Sequence, residues 1–163
     1  MKPMSKPAMI LALAGWLAAG QVSAASVASC AASATGVAFG AYDPTSPTPL
    51  TPTGSVSVTC NLISGISLLV AYTVNLSTGN SGNYLTRTMT GTTTPLSYNL
   101  YLNGGLTQVW GDGVSGGSVN KSDGYLLGLG NVVNTYTVYA KAPAQQLVAA
   151  GGYSDSITVS VAY

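Results

Sequence analysis

The sequence predicts an all-β chain folded as an antiparallel β-sandwich. Three observations carry this reading. Apolar and polar residues alternate with a period of two in several short segments. Gly, Asn and Pro break those segments at short intervals, and the 3.6-residue periodicity of an amphipathic helix is hard to find. Short strands alternating with turns, with no helices between them, suit a sandwich rather than a βαβ fold.

The clearest strand lies at residues 153–163. Tyr153, Ile157, Val159, Val161 and Tyr163 share one face, Ser154, Ser156, Thr158 and Ser160 the other, and Asp155 interrupts the apolar side. Upstream, Val56, Val58 and Cys60 alternate with Ser55, Ser57 and Thr59. Val70, Tyr72, Val74 and Leu76 alternate with Ala71, Thr73 and Asn75, and Leu96, Tyr98, Leu100 and Leu102 with Ser97, Asn99 and Tyr101. In 133–141 both faces carry Tyr or Val, which predicts a strand covered on both sides. Residues 36–41 and 84–90 are further candidates. The four prolines of 43–52 make that stretch an extended connection, because proline cannot donate to a strand ladder. Gly79-Asn80 and Gly82-Asn83 predict a hairpin turn within 78–83. Residues 111–124, with five glycines, read as a longer surface loop.

The first 24 of the 163 residues have the pattern of a signal peptide. Lys2 and Lys6 precede an apolar run at 8–19, and Val22-Ser23-Ala24 forms a small-residue cleavage site. The run is shorter than the roughly 20 residues a membrane-spanning helix needs. Cleavage there yields one domain of 139 residues, 25–163. Cys30 and Cys60, the two cysteines of the chain, then pair as a disulfide in an oxidising compartment.

Composition narrows the chemistry. Residues 25–163 keep Arg87, Lys121 and Lys141 as cations and Asp43, Asp112, Asp123 and Asp155 as anions. A chain this neutral has no basic footprint for nucleic acid. Without histidine, the common general base near neutral pH and the commonest metal ligand are missing, so no Ser-His-Asp or Cys-His arrangement can be built. Asp43-Pro44, Asp112-Gly113 and Asp123-Gly124 are turn contexts, which favour a structural role over a two-carboxylate hydrolase. Asp112 and Asp123 lack the ligand spacing of a calcium loop. We expect no enzyme activity, no cofactor and no metal. A weakly charged surface also resists self-association poorly, which suits a protein that assembles.

Among the ten tyrosines, most fall on alternating strand positions and read as cross-strand packing, the alternative being a sugar-stacking face. Trp110, in Val109-Trp110-Gly111-Asp112-Gly113, is a candidate for surface contact, the alternative being a plug at the end of the sandwich. Arg87 is expected in a hydrogen-bonded, partly buried position, paired with an aspartate.

Taken in order, Cys30, Phe39-Gly40-Ala41-Tyr42-Asp43-Pro44, Val56-Ser57-Val58-Thr59-Cys60, Tyr98-Asn99-Leu100-Tyr101, Val109-Trp110-Gly111-Asp112-Gly113, Thr137-Val138-Tyr139 and Gly152-Tyr153-Ser154-Asp155-Ser156-Ile157-Thr158-Val159 resemble the spore coat protein U domain family. That family includes secreted subunits of archaic, Csu-type chaperone–usher pili. The resemblance implies an immunoglobulin-like antiparallel β-sandwich that lacks its last strand. It also implies three kinds of partner: a periplasmic chaperone, an outer-membrane usher and other pilus subunits. The chain would pass through the periplasm to the cell surface or pilus and serve in adhesion and biofilm formation. Tyr153, Ile157, Val159, Val161 and Tyr163 would line the groove that accepts a strand. The donor half fits less well, since five residues between Ala24 and Cys30 reach at most about 17 Å. A self-contained spore or cell-surface coat protein and a carbohydrate-binding module are the two rival readings.

Overall fold

The computed structural model describes residues 28–62, 68–91, 93–127 and 131–163, and the proposed signal peptide lies outside them. These residues form two antiparallel sheets. The first contains β1 (Ala28–Thr35), β2 (Thr53–Leu62), β7 (Val132–Lys141), β5 (Leu96–Tyr101) and β4 (Arg87–Met89), in the spatial order β1-β2-β7-β5-β4. The second has the order β6-β3-β8, from β6 (Lys121–Leu127), β3 (Leu68–Leu76) and β8 (Val159–Ala162). Two short 3-10 turns, Gly79–Ser81 and Ser115–Gly117, are the helical pieces among the described residues.

The alternation read from the sequence is the alternation that buries the core. Val56, Val58 and Cys60 of β2, Tyr72, Val74 and Leu76 of β3, and Val138 and Ala140 of β7 all point between the sheets and are buried. Leu96, Tyr98 and Leu100 of β5 join them. Cys30 and Cys60 face each other directly across the β1–β2 ladder and form the expected disulfide.

Four local expectations need correction. Strand β7 is covered on one face only, because Val133, Thr135 and Thr137 are exposed on the outer side. The 78–83 turn is not a hairpin. It carries the chain from β3 in one sheet to β4 in the other, with Gly79 and Gly82 at positive φ. Asp123-Gly124 lies inside β6 rather than in a turn. Asp123 stays in the strand because its carboxylate accepts a 2.8 Å hydrogen bond from the Tyr136 hydroxyl of the opposite sheet. Finally, residues 153–163 are not one continuous strand. Ser154 bridges Thr90 beside β4, whereas 159–162 pair with β3, so the segment crosses from one sheet to the other.

Arg87 joins these pieces. Its guanidinium is fully buried at the start of β4 and, among the described residues, has no carboxylate partner within ion-pair distance. Nε and Nη2 donate to the Ser77 carbonyl at 3.0 and 2.8 Å, Nη2 also to the Trp110 carbonyl at 2.7 Å, and Nη1 to Asn99 Oδ1 at 2.7 Å. The predicted aspartate pair is therefore replaced by backbone and amide oxygens from three separate elements. Burial pulls the Arg87 pKa below its ordinary value, yet an arginine remains charged there.

Candidate functional site

An apolar cleft of about 810 Å³ opens between the two sheets. Its floor comes from inward-facing residues of the first sheet, including Val56, Met89, Leu96, Leu100 and Val138. Leu76, Ile157 and Val159 close it from the second-sheet side. Residues 34–42, which continue β1, form one wall, and residues 148–155 form the other.

Strand β1 leaves part of its inward face uncovered along this cleft. Directly paired residues of an antiparallel ladder point to the same face. Ala32 pairs with Val58 and Ala34 with Val56, so both alanines face the side on which the valines are buried. Val58 and Val56 are each 1% exposed, but Ala32 and Ala34 are open to solvent. Ala28 and Cys30, further along the same face, are buried and half-buried. Cover is thus lost progressively towards the cleft.

Among the described residues, neither edge beside the opening pairs with a further strand, although β1 and β8 approach each other closely. Strand β1 ends the order of one sheet and β8 ends the order of the other. Among the described residues, the backbone of 36–41 makes no hydrogen bond. Such a row of free N–H and C=O groups is what a strand needs for pairing with another chain.

Specific contacts hold the walls in place. Phe39 packs edge-on against Tyr98, with ring centroids 5.6 Å apart. The Tyr42 hydroxyl donates to the Pro143 carbonyl at 2.7 Å and accepts from the Gln146 backbone N–H at 2.8 Å. The Gln146 side chain then binds both backbone groups of Ser97, accepting from its N–H at 2.8 Å and donating to its carbonyl at 2.9 Å. Continuing the β5–β7 register would set Ser97 opposite Pro143, which has no N–H to give. An amide side chain completes the ladder instead.

Of the predicted groove residues, Tyr153, Ile157 and Val159 line the cleft, whereas Val161 and Tyr163 do not. The predicted face holds through Val161: residues 153, 155, 157, 159 and 161 are half-buried and the intervening ones exposed. Tyr163 is 55% exposed. Asp155, the interruption, is an anchor. Its carboxylate accepts from the Tyr98 hydroxyl at 2.7 Å, from Asn80 N–H at 2.9 Å and from Ser156 N–H at 2.7 Å. Burial, and then that bond to Asp155, push the Tyr98 pKa well above its ordinary value, so Tyr98 stays a protonated donor.

Trp110 is not available for surface contact. Its side chain is fully buried, and Nε1 donates to the Val74 carbonyl at 2.9 Å. Sequence reasoning missed the wall formed by 148–152, because Val148-Ala149-Ala150-Gly151-Gly152 carries neither a periodicity nor a chemical group to single it out. No group of three or more potential metal-ligating side chains occurs among the described residues.

No curated protein matches the chain. Among solved structures, the chain resembles one in the crystal structure of the CsuC–CsuE chaperone–tip adhesion subunit pre-assembly complex, from archaic chaperone–usher Csu pili of Acinetobacter baumannii. The TM-score is 0.53 at 22% identity, which establishes a shared fold. The match covers 83% of this chain but 40% of the other, so this chain spans about two fifths of the length of its structural relative. The family model described as Spore Coat Protein U domain matches residues 17–160. The chain belongs to the spore coat protein U domain family.

Proposed function

We propose that this chain is an exported structural subunit, or accessory subunit, of a surface pilus. Residues 1–24 direct export, and a periplasmic chaperone and an outer-membrane usher handle assembly. The cleft between β1 and β8 is the acceptor for a strand, supplied first by the chaperone and then by a neighbouring subunit. In this reading Tyr153, Ile157 and Val159 contact the incoming strand directly, and Val161 and Tyr163 flank its far end. The fibre serves attachment and biofilm formation.

The observation that carries the proposal is the exposure of Ala32 and Ala34 on a strand face whose paired valines are buried. An added strand would gain main-chain hydrogen bonds from both free edges and place alternate apolar side chains over the alanines. Family membership supports the reading, and the solved relative is itself a subunit held in a complex with a chaperone.

The test is gel electrophoresis in SDS of material sheared from the cells that make the protein, unheated beside boiled. The wild-type protein should run in species larger than the monomer that collapse on boiling. Ala34→Trp, which fills the cleft from an exposed position, should leave the surface fraction without those species. A wild-type protein that runs as a monomer in both lanes would overturn the proposal.

A further inference from the structure

A second opening, of about 380 Å³, lies between the turn after β3 and the loop before β6, and shares no lining residue with the strand cleft. Thr78, Asn83, Tyr84, Asp112, Ser115 and Gly116 surround it. Several of these side chains are held in place by bonds that leave their other polar atoms unused. Asp112 Oδ1 alone accepts from Val114 N–H at 2.9 Å, Ser115 N–H at 2.8 Å and the Ser118 hydroxyl at 2.9 Å. The Ser115 hydroxyl also bonds to this carboxylate, and no other group among the described residues donates to its second oxygen, Oδ2. Asn83 Oδ1 accepts from Leu85 N–H at 2.8 Å, which leaves the Asn83 amide N–H₂ free to donate.

Tyr84 is equally constrained. Its carbonyl accepts from Asn99 Nδ2 at 2.8 Å, and its ring has the Arg87 guanidinium 5.3 Å from the centroid. A Cβ on Gly111 would lie 2.7 Å from the ring carbon Cδ1, so glycine there lets the ring sit close. The Tyr84 hydroxyl makes no hydrogen bond among the described residues, and the Ser115 hydroxyl bonds to the Asp112 carboxylate, which leaves its second lone pair to accept. One carboxylate acceptor, one amide donor, two hydroxyls and a fixed aromatic ring thus meet in one depression.

We propose that this depression is a binding subsite for a neutral hexopyranose, a single sugar unit of a surface glycan. A sugar ring offers neighbouring hydroxyls that both donate and accept, together with an apolar C–H face. The carboxylate and amide suit the hydroxyls and Tyr84 suits the apolar face, with the polar groups few and set in advance. No lysine or arginine lines the pocket, so it has nothing to neutralise a phosphorylated, sulfated or acidic sugar. A single carboxylate is too few for a calcium ion, which takes six to eight oxygens. Leu85 and Val114, next in sequence to Tyr84 and Ser115, are 65% and 87% exposed and extend the apolar surface beside the pocket. Because the two openings are separate, the subsite stays accessible when a strand fills the cleft.

The test is saturation-transfer difference NMR on the full protein released from the cell surface without denaturation. The methyl α-pyranosides of D-glucose, D-galactose and D-mannose are titrated in turn. At least one should receive saturation, with a Kd on the order of 1 mM, as expected for a small ligand in a shallow site. Asp112→Asn keeps the Oδ1 acceptor that orders the loop but loses the second carboxylate oxygen and the charge, and should weaken binding about tenfold. Ser115→Phe fills the pocket from an exposed position and should abolish binding, with the near-ultraviolet circular dichroism unchanged. Absence of saturation transfer to all three sugars would overturn the proposal, as would wild-type affinity in either variant.

Discussion

Replacing Arg87 with methionine should lower the unfolding free energy by about 4 kcal/mol, read as a shift in the urea midpoint at unchanged slope. The figure follows from the partners it abandons. The carbonyls of Ser77 and Trp110 have no other hydrogen-bond partner among the described residues, and each buried acceptor left alone costs about 1–3 kcal/mol. Asn99 Oδ1 loses less, because it still accepts from the Leu100 N–H at 2.9 Å. Methionine restores apolar volume but no donors, and removing the buried charge returns part of its desolvation cost. Arg87→Lys is a sharper probe. It keeps the charge, yet one ammonium cannot reproduce a planar fork spanning Ser77, Asn99 and Trp110, so it should recover less than half of the loss. A change below about 1 kcal/mol for Arg87→Met would mean that these oxygens find other partners.

The second large effect concerns the edge strand. Breaking the Cys30–Cys60 bridge with a Cys30→Ala, Cys60→Ala double variant should cost about 3.6 kcal/mol in the chain-entropy treatment, given a separation of 30 residues. The damage should also be local. In β1, Ala28 is buried and Cys30 half-buried, while the rest of the strand is exposed. Without the disulfide, β1 keeps its ladder to β2 and its contacts with β8, both on a strand that packs little of its surface. The double variant should therefore lose the wall at 34–42 before the rest of the core melts, and less of it should accumulate in the cell envelope. An unchanged urea midpoint and unchanged yield would show that β1 is held by something other than the bridge.

Much of this architecture was legible in the residues, for reasons that explain what was not. Residues 55–60, 72–76 and 96–101 declare themselves because one face of each is buried, so selection for apolar side chains leaves a period of two. The disulfide was legible from the cysteine count and the compartment. Strand β1, Ala-Ser-Cys-Ala-Ala-Ser-Ala-Thr, was not, because it packs little of its surface and owes its form to pairing with β2. Its small, exposed residues are the trace of the same open face that makes the cleft.

Asp123-Gly124 misled in the opposite way. The dipeptide favours a turn in isolation, but the Tyr136 hydroxyl from the other sheet satisfies the carboxylate inside β6. Trp110 and Arg87 form one buried unit, and the long-range bonds that hide the tryptophan are invisible in the local Trp-Gly-Asp-Gly string. The half-buried side of 153–161 was foreseen. Its division between two sheets was not, because side-chain alternation fixes the face and says nothing about which edge each residue meets.

Whether the free edges of β1 and β8 receive a strand is read most directly by amide hydrogen exchange. Exchange should be compared between the isolated monomer and the same chain within its surface assemblies. The account predicts that amides on the free side of 31–41 and 157–162 exchange rapidly in the monomer. In the assembly they should slow by about a hundredfold or more, as unpaired backbone becomes part of a continuous ladder. Amides of β2 and β7, already paired on both sides, should change far less. If 31–41 and 157–162 are protected in the monomer, or remain fast in the assembly, no strand enters the cleft and the account is wrong.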